Sequence, residues 1–439
     1  MSIISRLLRI YRNYLARFIV FRLLKALAMG AYRSAFSFFS LLARHPRSGT
    51  YRFRPLSDCD GRLSPRKITL DRGGVIEIPP PTFSGHCADI ASKKNTVVKI
   101  DTPRLDVFEF SRAMAVGGVD FVFVSDTAIH HDLFMPSQHH CPAEYFGVVS
   151  INRQKGSLKL RLTQECKKIP MAATMIGQCS GNYAHWLTET LPKLPVFDAC
   201  GDFADLPLLV DDGLSPNIYA SIDLVNGNRR KVIAVKRWEP VVLDKLVTVS
   251  HPGYERYVPH GIHNREAPAY VNTFSPTALR MLRDTVGNAL EGSPQLRAKK
   301  IYLSRSEKSG NLRQIDNLSA VEAAIRDCGI QLIRPESMEF KEQVAACMNA
   351  ELIVAPVGAA LANMIFAPPG CGVIVLSPYY DEANYFYYSN LAGVLGHELR
   401  YVLGPQTREN KHPAHKSYHI DVEVLMATLE QVTNRAHED

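Results

Sequence analysis

Two features are missing from this chain of 439 residues: closely paired cysteines, and any acidic residue before Asp58. The nine cysteines are scattered singly, their number is odd, and no two of them have C-x-x-C spacing. This distribution argues against a disulfide framework. It indicates a reducing compartment in which thiols serve as small core residues.

The missing acidic residues leave the amino terminus strongly basic. Eleven of the 51 Lys and Arg residues precede Asp58, and the other 40 stand against 43 acidic residues. The net charge of +8 therefore belongs to the amino terminus, and the rest of the chain has a net charge of −3. Between Ile3 and Ile19, apolar residues share one helical face and arginines share the other. Such a helix predicts an anchor to an anionic membrane surface, formed by residues 1–45.

Three alternatives remain open for this segment. It could be an arm packed on the body, a nucleic-acid-binding arm or, for residues 26–43, a poor transmembrane span. A span would place Arg33 in hydrocarbon at a cost of about 2.5–3.5 kcal/mol, and no small-residue cleavage site marks a removed signal peptide. Nucleic acid is least favoured, because the basic run accompanies an aliphatic face rather than stacking aromatics. We predict a surface anchor and no nucleic-acid partner.

The next part of the chain is rich in predicted strands and contains two groups of potential metal ligands. His130-His131-Asp132 and His139-His140-Cys141 together offer four imidazoles, a carboxylate and a thiol. Adjacent histidines point apart on a strand, however, and the spacing fits no closed zinc site. Asp58-Cys59-Asp60 lacks the preceding apolar strand that would hold its carboxylates at a metal. We therefore predict solvated loop histidines, a solvated turn and no bound metal.

Short apolar runs alternate with helical patterns between Lys300 and Ser377. This alternation predicts a parallel sheet covered on both faces by helices. Such sheets bind ligands beyond the carboxyl ends of their strands, where Arg305 ends one strand and Gly358-Ala359-Ala360 opens a helix. The guanidinium and the free N–H groups of the helix start could cradle a diphosphate. The alternative is a packing turn beside a solvated arginine.

Several stretches of the chain resemble glycosyltransferase family 61. Residues 302–305 (YLSR), Glu342-Gln343 and residues 356–367 (PVGAALANMIFA) are similar to its carboxy-terminal blocks, and residues 181–192 (GNYAHWLTETLP) to its other signature. The similarity extends over about residues 145–405. One position departs from the family pattern, because the family usually has His where this chain has Val357.

The resemblance implies an α/β, GT-B-like fold in which two Rossmann-like lobes face a cleft. We add a β-rich amino-terminal extension and the amphipathic helix. The predicted division is 1–48 for the membrane-associating segment, 49–165 for the β-rich extension, 166–292 for the acceptor lobe, 293–410 for the nucleotide-sugar lobe, and 411–439 for a helix that returns to the acceptor lobe.

The resemblance also implies that the chain transfers a sugar from a nucleotide-sugar donor, a UDP-sugar being one candidate, to a polysaccharide or glycolipid acceptor. The reaction would be inverting and metal-independent, without a further cofactor, at the cytoplasmic face of the cell membrane. The residues implied for the donor are Arg305, Arg313, Gly358, Ala359, Ala360 and Asn363. Because of Val357, the alternative is an inactive relative that acts as a membrane-associated partner in polysaccharide assembly.

His185 and Glu189 are the residues predicted for the acceptor side. They lie one turn apart on one face of a helix that begins at Tyr183 and that Asn182 or Ser180 can cap. An inverting transferase needs a base to take the proton of the acceptor hydroxyl, and a partner that holds the base improves it. The pair could be base and orienting group in either assignment. The alternative is a His–Glu pair that only stabilises the helix.

Overall fold

A computed structural model gives the structure of this chain. It describes residues 27, 30, 31, 46–59, 61, 63–95, 97–256, 272–292, 298–305, 313–381, 383–407 and 413–435. Of the predicted membrane anchor, residues 1–45, only residues 27, 30 and 31 are described, and the amphipathic stretch from Ile3 to Ile19 lies outside the described residues. Asp60 also lies outside them. Within the described part of the chain, no helix is both long enough and apolar enough to span a bilayer.

Strands are numbered in chain order. They are β1 (Gly49–Pro55), β2 (Arg66–Asp71), β3 (Val75–Ile78), β4 (Thr82–Gly85), β5 (Val98–Asp101), β6 (Leu105–Val116), β7 (Val119–Val124), β8 (Thr127–His130), β9 (Val149–Asn152), β10 (Ser157–Leu160), β11 (Lys167–Thr174), β12 (Leu208–Asp211), β13 (Val232–Val235), β14 (Pro240–Val249), β15 (Gly253–Tyr254), β16 (Thr273–Phe274), β17 (Lys300–Leu303), β18 (Gln331–Ile333), β19 (Leu352–Pro356), β20 (Gly372–Pro378) and β21 (Glu398–Gly404).

Helices are named by their bounds. The α-helices are Ala88–Lys94, Pro142–Tyr145, Tyr183–His185, Lys193–Ala199, Pro216–Asn226, Pro276–Ala289, Leu318–Asp327, Phe340–Met348, Phe386–Leu395 and Val422–Arg435. The 3₁₀-helices are Leu56–Asp58, Gly201–Phe203, Pro335–Ser337, Ala359–Phe366 and Pro413–His415, and Trp186–Thr190 is a π-helix.

The chain divides into two compact units, each assembled from separate segments. The first unit contains Met1–Arg72, Pro103–Pro216 and Asn226–Ala267. The second unit contains Gly73–Thr102, Asn217–Val225 and Pro268–Asp439.

An eleven-stranded mixed sheet forms the core of the first unit. Its order is β13-β12-β11-β14-β6-β7-β8-β1-β10-β9, with β2 also paired to β6. The strands from β13 to β14 are parallel, and β14 then pairs antiparallel with β6. Strands from 49–165 and from 166–292, which the sequence analysis assigned to separate domains, therefore belong to one sheet. The reason is that β14 is paired along both edges, to β11 and to β6.

A six-stranded parallel sheet forms the core of the second unit. Its order is β18-β17-β19-β20-β21-β4, and each neighbouring pair is parallel. The mixed α/β fold and the parallel sheet predicted between Lys300 and Ser377 are thereby confirmed. Strand β4 comes from far upstream in the chain, and its pairing with β21 gives residues 73–102 a place in the second unit.

The final helix, Val422–Arg435, packs on the second sheet. This location differs from the predicted one, a helix that returns to the acceptor lobe, because the apolar face of the helix is buried in the core of the second sheet. Leu425 and Leu429, one helical turn apart, are buried in the same core as Tyr302 and Val354 of the sheet. The apolar face of the helix thus completes the cover of the second sheet.

Candidate active site

Both sheets contain a topological switch point, where the chain stops adding strands on one side and begins on the other. In the second sheet β18 lies on one side of β17 and β19 on the other; in the first sheet β12 and β14 flank β11 in the same way. Open parallel sheets bind their ligands beyond the strand carboxyl ends at such points. The residues that follow β17, β19, β11 and β14 are therefore the candidates for function.

Arg305 and Gly358 come together at the switch point of the second sheet. Arg305 follows β17 and Gly358 follows β19, which pair directly. Arg305 Nη1 donates a hydrogen bond of 3.4 Å to the Val357 carbonyl, and a Cβ added at Gly358 would lie 3.3 Å from the same nitrogen. Glycine therefore lets the guanidinium lie against the backbone of this turn. The two predicted donor-binding residues form one local structure.

Two arginines, Arg305 and Arg313, bring positive charge to this switch point. Burial, and after it the neighbouring charge of Arg313, lower the pKa of Arg305 from its usual value. The two guanidinium groups repel each other, so an anion placed between them would be stabilised. Tyr388 fixes the turn by donating a hydrogen bond of 2.6 Å from its hydroxyl to the Gly358 carbonyl.

The helix predicted to open at Gly358 is present, as the 3₁₀-helix Ala359–Phe366. Its first N–H groups have no partner inside the helix, so Gly358 to Ala360 still present donors to a ligand. Asn363 differs from the other predicted donor residues. It is fully buried, and its Nδ2 donates to Gln343 Oε1 at 3.0 Å. Asn363 therefore holds the helix in the core and does not face a ligand.

The predicted pair of His185 and Glu189 forms beyond the carboxyl end of β11. His185 Nδ1 lies 2.8 Å from Glu189 Oε1. The intervening turn, Trp186–Thr190, is a π-helix that is closed by a hydrogen bond of 2.7 Å from Leu191 N to the Trp186 carbonyl. Turns of this kind are rare in proteins, and those that do occur are often found at functional sites. The pairing agrees with both interpretations of the sequence, so it does not by itself assign a role.

Of the two residues predicted as possible caps, Asn182 and Ser180, it is Asn182 that caps the helix carrying His185. Its Oδ1 accepts a hydrogen bond of 3.1 Å from Ala184 N. Trp186 and Leu187, which follow His185, are fully buried. The Asn182 cap and these two buried side chains therefore hold the start of the helix in place.

Glu255 is a third member of this group, and the sequence analysis did not find it. Its Oε2 lies 3.5 Å from His185 Nε2, and its backbone N–H donates to Glu189 Oε1 at 3.0 Å. Glu255 follows β14, which borders β11 at the switch point, so the two chain segments meet there. No spacing in the sequence relates Glu255 to His185. The available signal was its position after the apolar strand β14.

Electrostatics distinguishes the three side chains. Burial alone would lower the pKa of His185, but the carboxylates of Glu189 and Glu255 outweigh it and raise this pKa to about 9. The imidazole is therefore protonated at neutral pH. Burial raises the pKa of Glu255, against the opposing effect of His185. The Glu255 side chain is 33% exposed and that of Glu189 8%, so Glu255 is the carboxylate that a ligand can reach.

The predicted solvated loop histidines are largely buried. His130, His131 and His139 are between 3% and 6% exposed, because all three rings pack against the buried side chain of Phe134 and not in an open loop. His131 approaches Asp120 and His251, and these three residues are the one group within the described residues whose ligand atoms lie close enough to hold a metal ion. The prediction of no metal in this region had not considered a partner as distant in sequence as His251.

Comparison with known proteins gives the family of this site. Residues 183–374 match the family model described as Glycosyltransferase 61. The chain carries a glycosyltransferase family 61 domain. The matched range includes His185 and Glu189 at its start and Arg305 and Gly358 near its end, so it takes in residues from both switch points. The resemblance found in the sequence is confirmed over residues 183–374, and the chain is a glycosyltransferase.

The other comparisons add little. No curated protein matches the chain. Among solved structures, the chain is compared with the dodecameric iron-containing heptosyltransferase TibC, crystallised in complex with ADP-D-beta-D-heptose. The two share 12% identity over 87% of this chain and 98% of that chain, with a TM-score of 0.28. At so low a TM-score, the pairing supports no conclusion about fold or function.

Proposed function

We propose that this chain is an inverting, GT-B-type glycosyltransferase that uses a nucleotide-sugar donor, with a UDP-sugar as the first candidate. The acceptor in this proposal is a polysaccharide or a glycolipid. The proposal depends on one observation: Arg305 lies against the Gly358 turn at the switch point of a parallel sheet. The GT-B fold in this proposal comes from the family resemblance, and each of the two units contains a sheet with such a switch point.

The donor side is proposed at the switch point of the second sheet. Arg305 and Arg313 would neutralise the charge that develops on the leaving nucleoside diphosphate, and the N–H groups of Gly358 to Ala360 would bind its oxygens. Fixed cations in a partly buried site stabilise a leaving diphosphate as a divalent metal does elsewhere. Departure of the diphosphate therefore requires no metal ion at this position.

The acceptor side is proposed at the switch point of the first sheet, with Glu255 as the base. The Glu255 carboxylate takes the proton of the acceptor hydroxyl, whose oxygen attacks the anomeric carbon on the face opposite the diphosphate. The carbon–oxygen bond to the diphosphate breaks, and the configuration inverts. His185 is protonated at neutral pH, so it serves as a charged partner that holds Glu255, while buried Glu189 orients His185.

The acceptor proposed here is bound to a membrane or produced there, and the basic amino terminus is proposed to keep the enzyme at the cytoplasmic surface. Residues 1–45 combine an aliphatic helical face with arginines, which suits a surface rich in anionic lipids. Confinement to the surface raises the effective concentration of a lipid-linked acceptor.

The turn and its contact with Arg305 are both present although Val357 stands where the family usually has histidine. Arg305 contacts the carbonyl of Val357, and the Val357 N–H donates to the Leu376 carbonyl at 2.9 Å. Both contacts use backbone atoms of residue 357, so they do not depend on which side chain stands there. An active donor site therefore remains the proposal, and an inactive assembly partner is the outcome to be tested against it.

Binding of nucleotides to the full-length protein tests the proposal. We expect UDP, or another nucleoside diphosphate in a series, to raise the melting temperature, since a ligand at 100 times its Kd adds about 2.7 kcal/mol to stability. Arg305→Ala should abolish the shift. Arg280→Ala is the matched control, because Arg280 is exposed on the helix Pro276–Ala289, where its nearest polar partner is Thr277. A flat response to every nucleotide, with no nucleotide released from any nucleotide sugar, would favour the inactive partner.

A further inference from the structure

Asp120, His131 and His251 come from three separate parts of the first unit and meet in its interior. Asp120 lies on β7, His131 follows β8 and His251 follows β14. Their side chains are 11%, 3% and 7% exposed, respectively. They line a small internal cavity together with Lys193, in which water can occupy about 30 Å³.

The hydrogen bonding of the two imidazoles is incomplete within the described residues. His131 Nδ1 is buried without a partner, and His131 Nε2 lies 3.7 Å from Asp120 Oδ2, which is too far for a hydrogen bond. Within the described residues, His131 Nε2 therefore makes no hydrogen bond on the side that faces Asp120, and water or an ion placed there would satisfy it.

His251 has the opposite difficulty. Its Nε2 lies 2.9 Å from Asp120 Oδ2 and 3.2 Å from Lys193 Nζ. An imidazole nitrogen can donate a proton to a carboxylate or accept one from an ammonium group, but it cannot do both at once. The protein side chains alone therefore leave one of these two contacts unsatisfied.

We infer that Asp120, His131 and His251 bind one divalent transition-metal ion of the zinc class. Zinc bonds of about 2.0–2.1 Å in a tetrahedral site place neighbouring ligand atoms about 3.3 Å apart. The two separations measured from Asp120 Oδ2, 2.9 Å and 3.7 Å, lie on either side of this value. Two imidazoles and one carboxylate suit zinc and its neighbours in the first row, and the cavity has room for a water molecule as a fourth ligand.

The ion in this site joins elements and does not face solvent. Its ligands tie β7, the segment after β8 and the end of β14 to one another, so binding stabilises the folded first unit. Lys193 opposes the ion, because its ammonium group holds His251 Nε2 at 3.2 Å and must move away when the metal takes that nitrogen. The inference stands apart from the diphosphate chemistry proposed at Arg305.

Cobalt substitution of the full-length protein provides the test. We expect metal-free protein to bind one equivalent of Co²⁺ with visible absorption of the intensity typical of tetrahedral coordination, to exchange it for Zn²⁺, and to melt at a higher temperature with Zn²⁺. The absence of both the absorption and the shift in the unaltered protein would overturn the inference, whatever the variants do.

Variants then locate the ion. His131→Ala and His251→Ala should each weaken Co²⁺ binding by about 100-fold or more, while His140→Ala, which removes a partly exposed histidine bonded to Arg153, should bind normally. Lys193→Met should bind the ion more tightly than the unaltered protein, because the competing charge is gone. If either histidine variant binds Co²⁺ as tightly as the unaltered protein, or if Lys193→Met binds it more weakly, the site described here is contradicted.

Discussion

At the scale of single residues, three side chains beyond β11 and β14 carry the acceptor chemistry proposed here. Sequence spacing found His185 and Glu189, and their 2.8 Å contact follows from an i,i+4 relation on one helix. The same spacing could not assign the roles. The structure assigns a raised pKa to His185, and Glu255 provides a reachable carboxylate beside it.

Substitution of Glu255 by Gln tests the proposed base. The change preserves size and removes the ability to accept a proton, so kcat should fall by about 10²–10⁴-fold. Nucleotide binding should be unchanged, because Glu255 does not belong to the donor residues. The measurement is the rate of nucleotide release with saturating acceptor, compared with the UDP-induced melting shift of the same variant. A variant that retains full kcat would show that another group takes the proton.

The raised pKa of His185 predicts a loss of stability in alkali. A histidine with a pKa of about 9 in the folded state and 6.5 in the unfolded state stabilises the fold fully below pH 6.5. This contribution, about 3 kcal/mol, declines as the pH rises from 6.5 through 9. The free energy of unfolding from urea titrations at pH 6, 7, 8 and 9 should therefore fall, and His185→Gln should flatten this decline.

His140→Gln is the control for that experiment. The pKa of His140 is lowered, with burial as the first cause, so its contribution to stability changes below pH 6.5 and not above it. The decline between pH 6.5 and 9 should therefore persist in His140→Gln. If His185→Gln and His140→Gln change the decline to the same extent, then His185 is not the group responsible.

At the scale of elements, strand β4 shows why a short strand can be essential. Gly85 pairs with Leu403 of β21, its φ is +86°, and a Cβ there would lie 2.5 Å from the Leu403 carbonyl oxygen. Gly85→Ala should therefore cost about 2–4 kcal/mol, from both the left-handed backbone and the clash with a carbonyl. Hydrogen exchange should show faster opening of β4 and β21.

Gly49→Ala supplies the comparison for this substitution. Gly49 lies on β1 of the first unit, and no atom lies within 4 Å of a Cβ built there. The free energy of unfolding of this variant should stay within about 1 kcal/mol of the original. Equal losses in Gly85→Ala and Gly49→Ala would mean that the contact with β21 does not determine the cost.

The elements that could be predicted from the sequence are those whose own residues specify them. The apolar runs of β17, β19 and β20 alternate with amphipathic helices, so each strand is visible without its neighbours. Strand β4 (Thr82–Gly85) has no such run and becomes a strand through its pairing with β21. The choice of 3₁₀ over α geometry after Gly358, and the π-turn after His185, likewise depend on packing that no local pattern records.

The same limit explains the candidate sites. Arg305 and Gly358 could be predicted together because each directly follows a recognisable strand, and the carboxyl ends of adjacent parallel strands meet. Glu255 and His251 follow a recognisable strand too, but their partners depend on β14 lying between β11 and β6. A sheet order of this kind is a property of tertiary structure, so the predictions placed the histidines near His131 in solvent instead.

At the scale of the whole molecule, composition predicts charge distribution better than it predicts domain boundaries. The second unit takes Gly73–Thr102 from upstream and Pro268–Asp439 from downstream, and no shift in composition marks the first of these segments. The charge asymmetry, by contrast, can be read directly from the sequence. Eleven basic residues and no acidic residue precede Asp58, and the rest of the chain is close to neutral.

This asymmetry leads to the prediction that the amino terminus carries the protein to anionic membranes. Full-length protein should float with liposomes that contain an anionic lipid, and far less with neutral ones, because several arginines each contribute about 1 kcal/mol near a charged surface. Deletion of residues 1–45, which leaves β1 in place, should abolish flotation. Flotation should also weaken as ionic strength rises and the Debye length shortens from about 10 Å at 0.1 M salt.

A charge variant separates the two forces in that prediction. Replacing Arg6, Arg9, Arg12 and Arg17 by Gln leaves the aliphatic face of the segment intact and removes four positive charges. If the anchor is amphipathic, this variant should lose its preference for anionic lipid and its salt dependence while retaining weak binding through apolar burial. Undiminished flotation of the protein that lacks residues 1–45 would refute the anchor, because the remaining chain, with 43 basic and 43 acidic residues, has no net positive charge to attract it to an anionic surface.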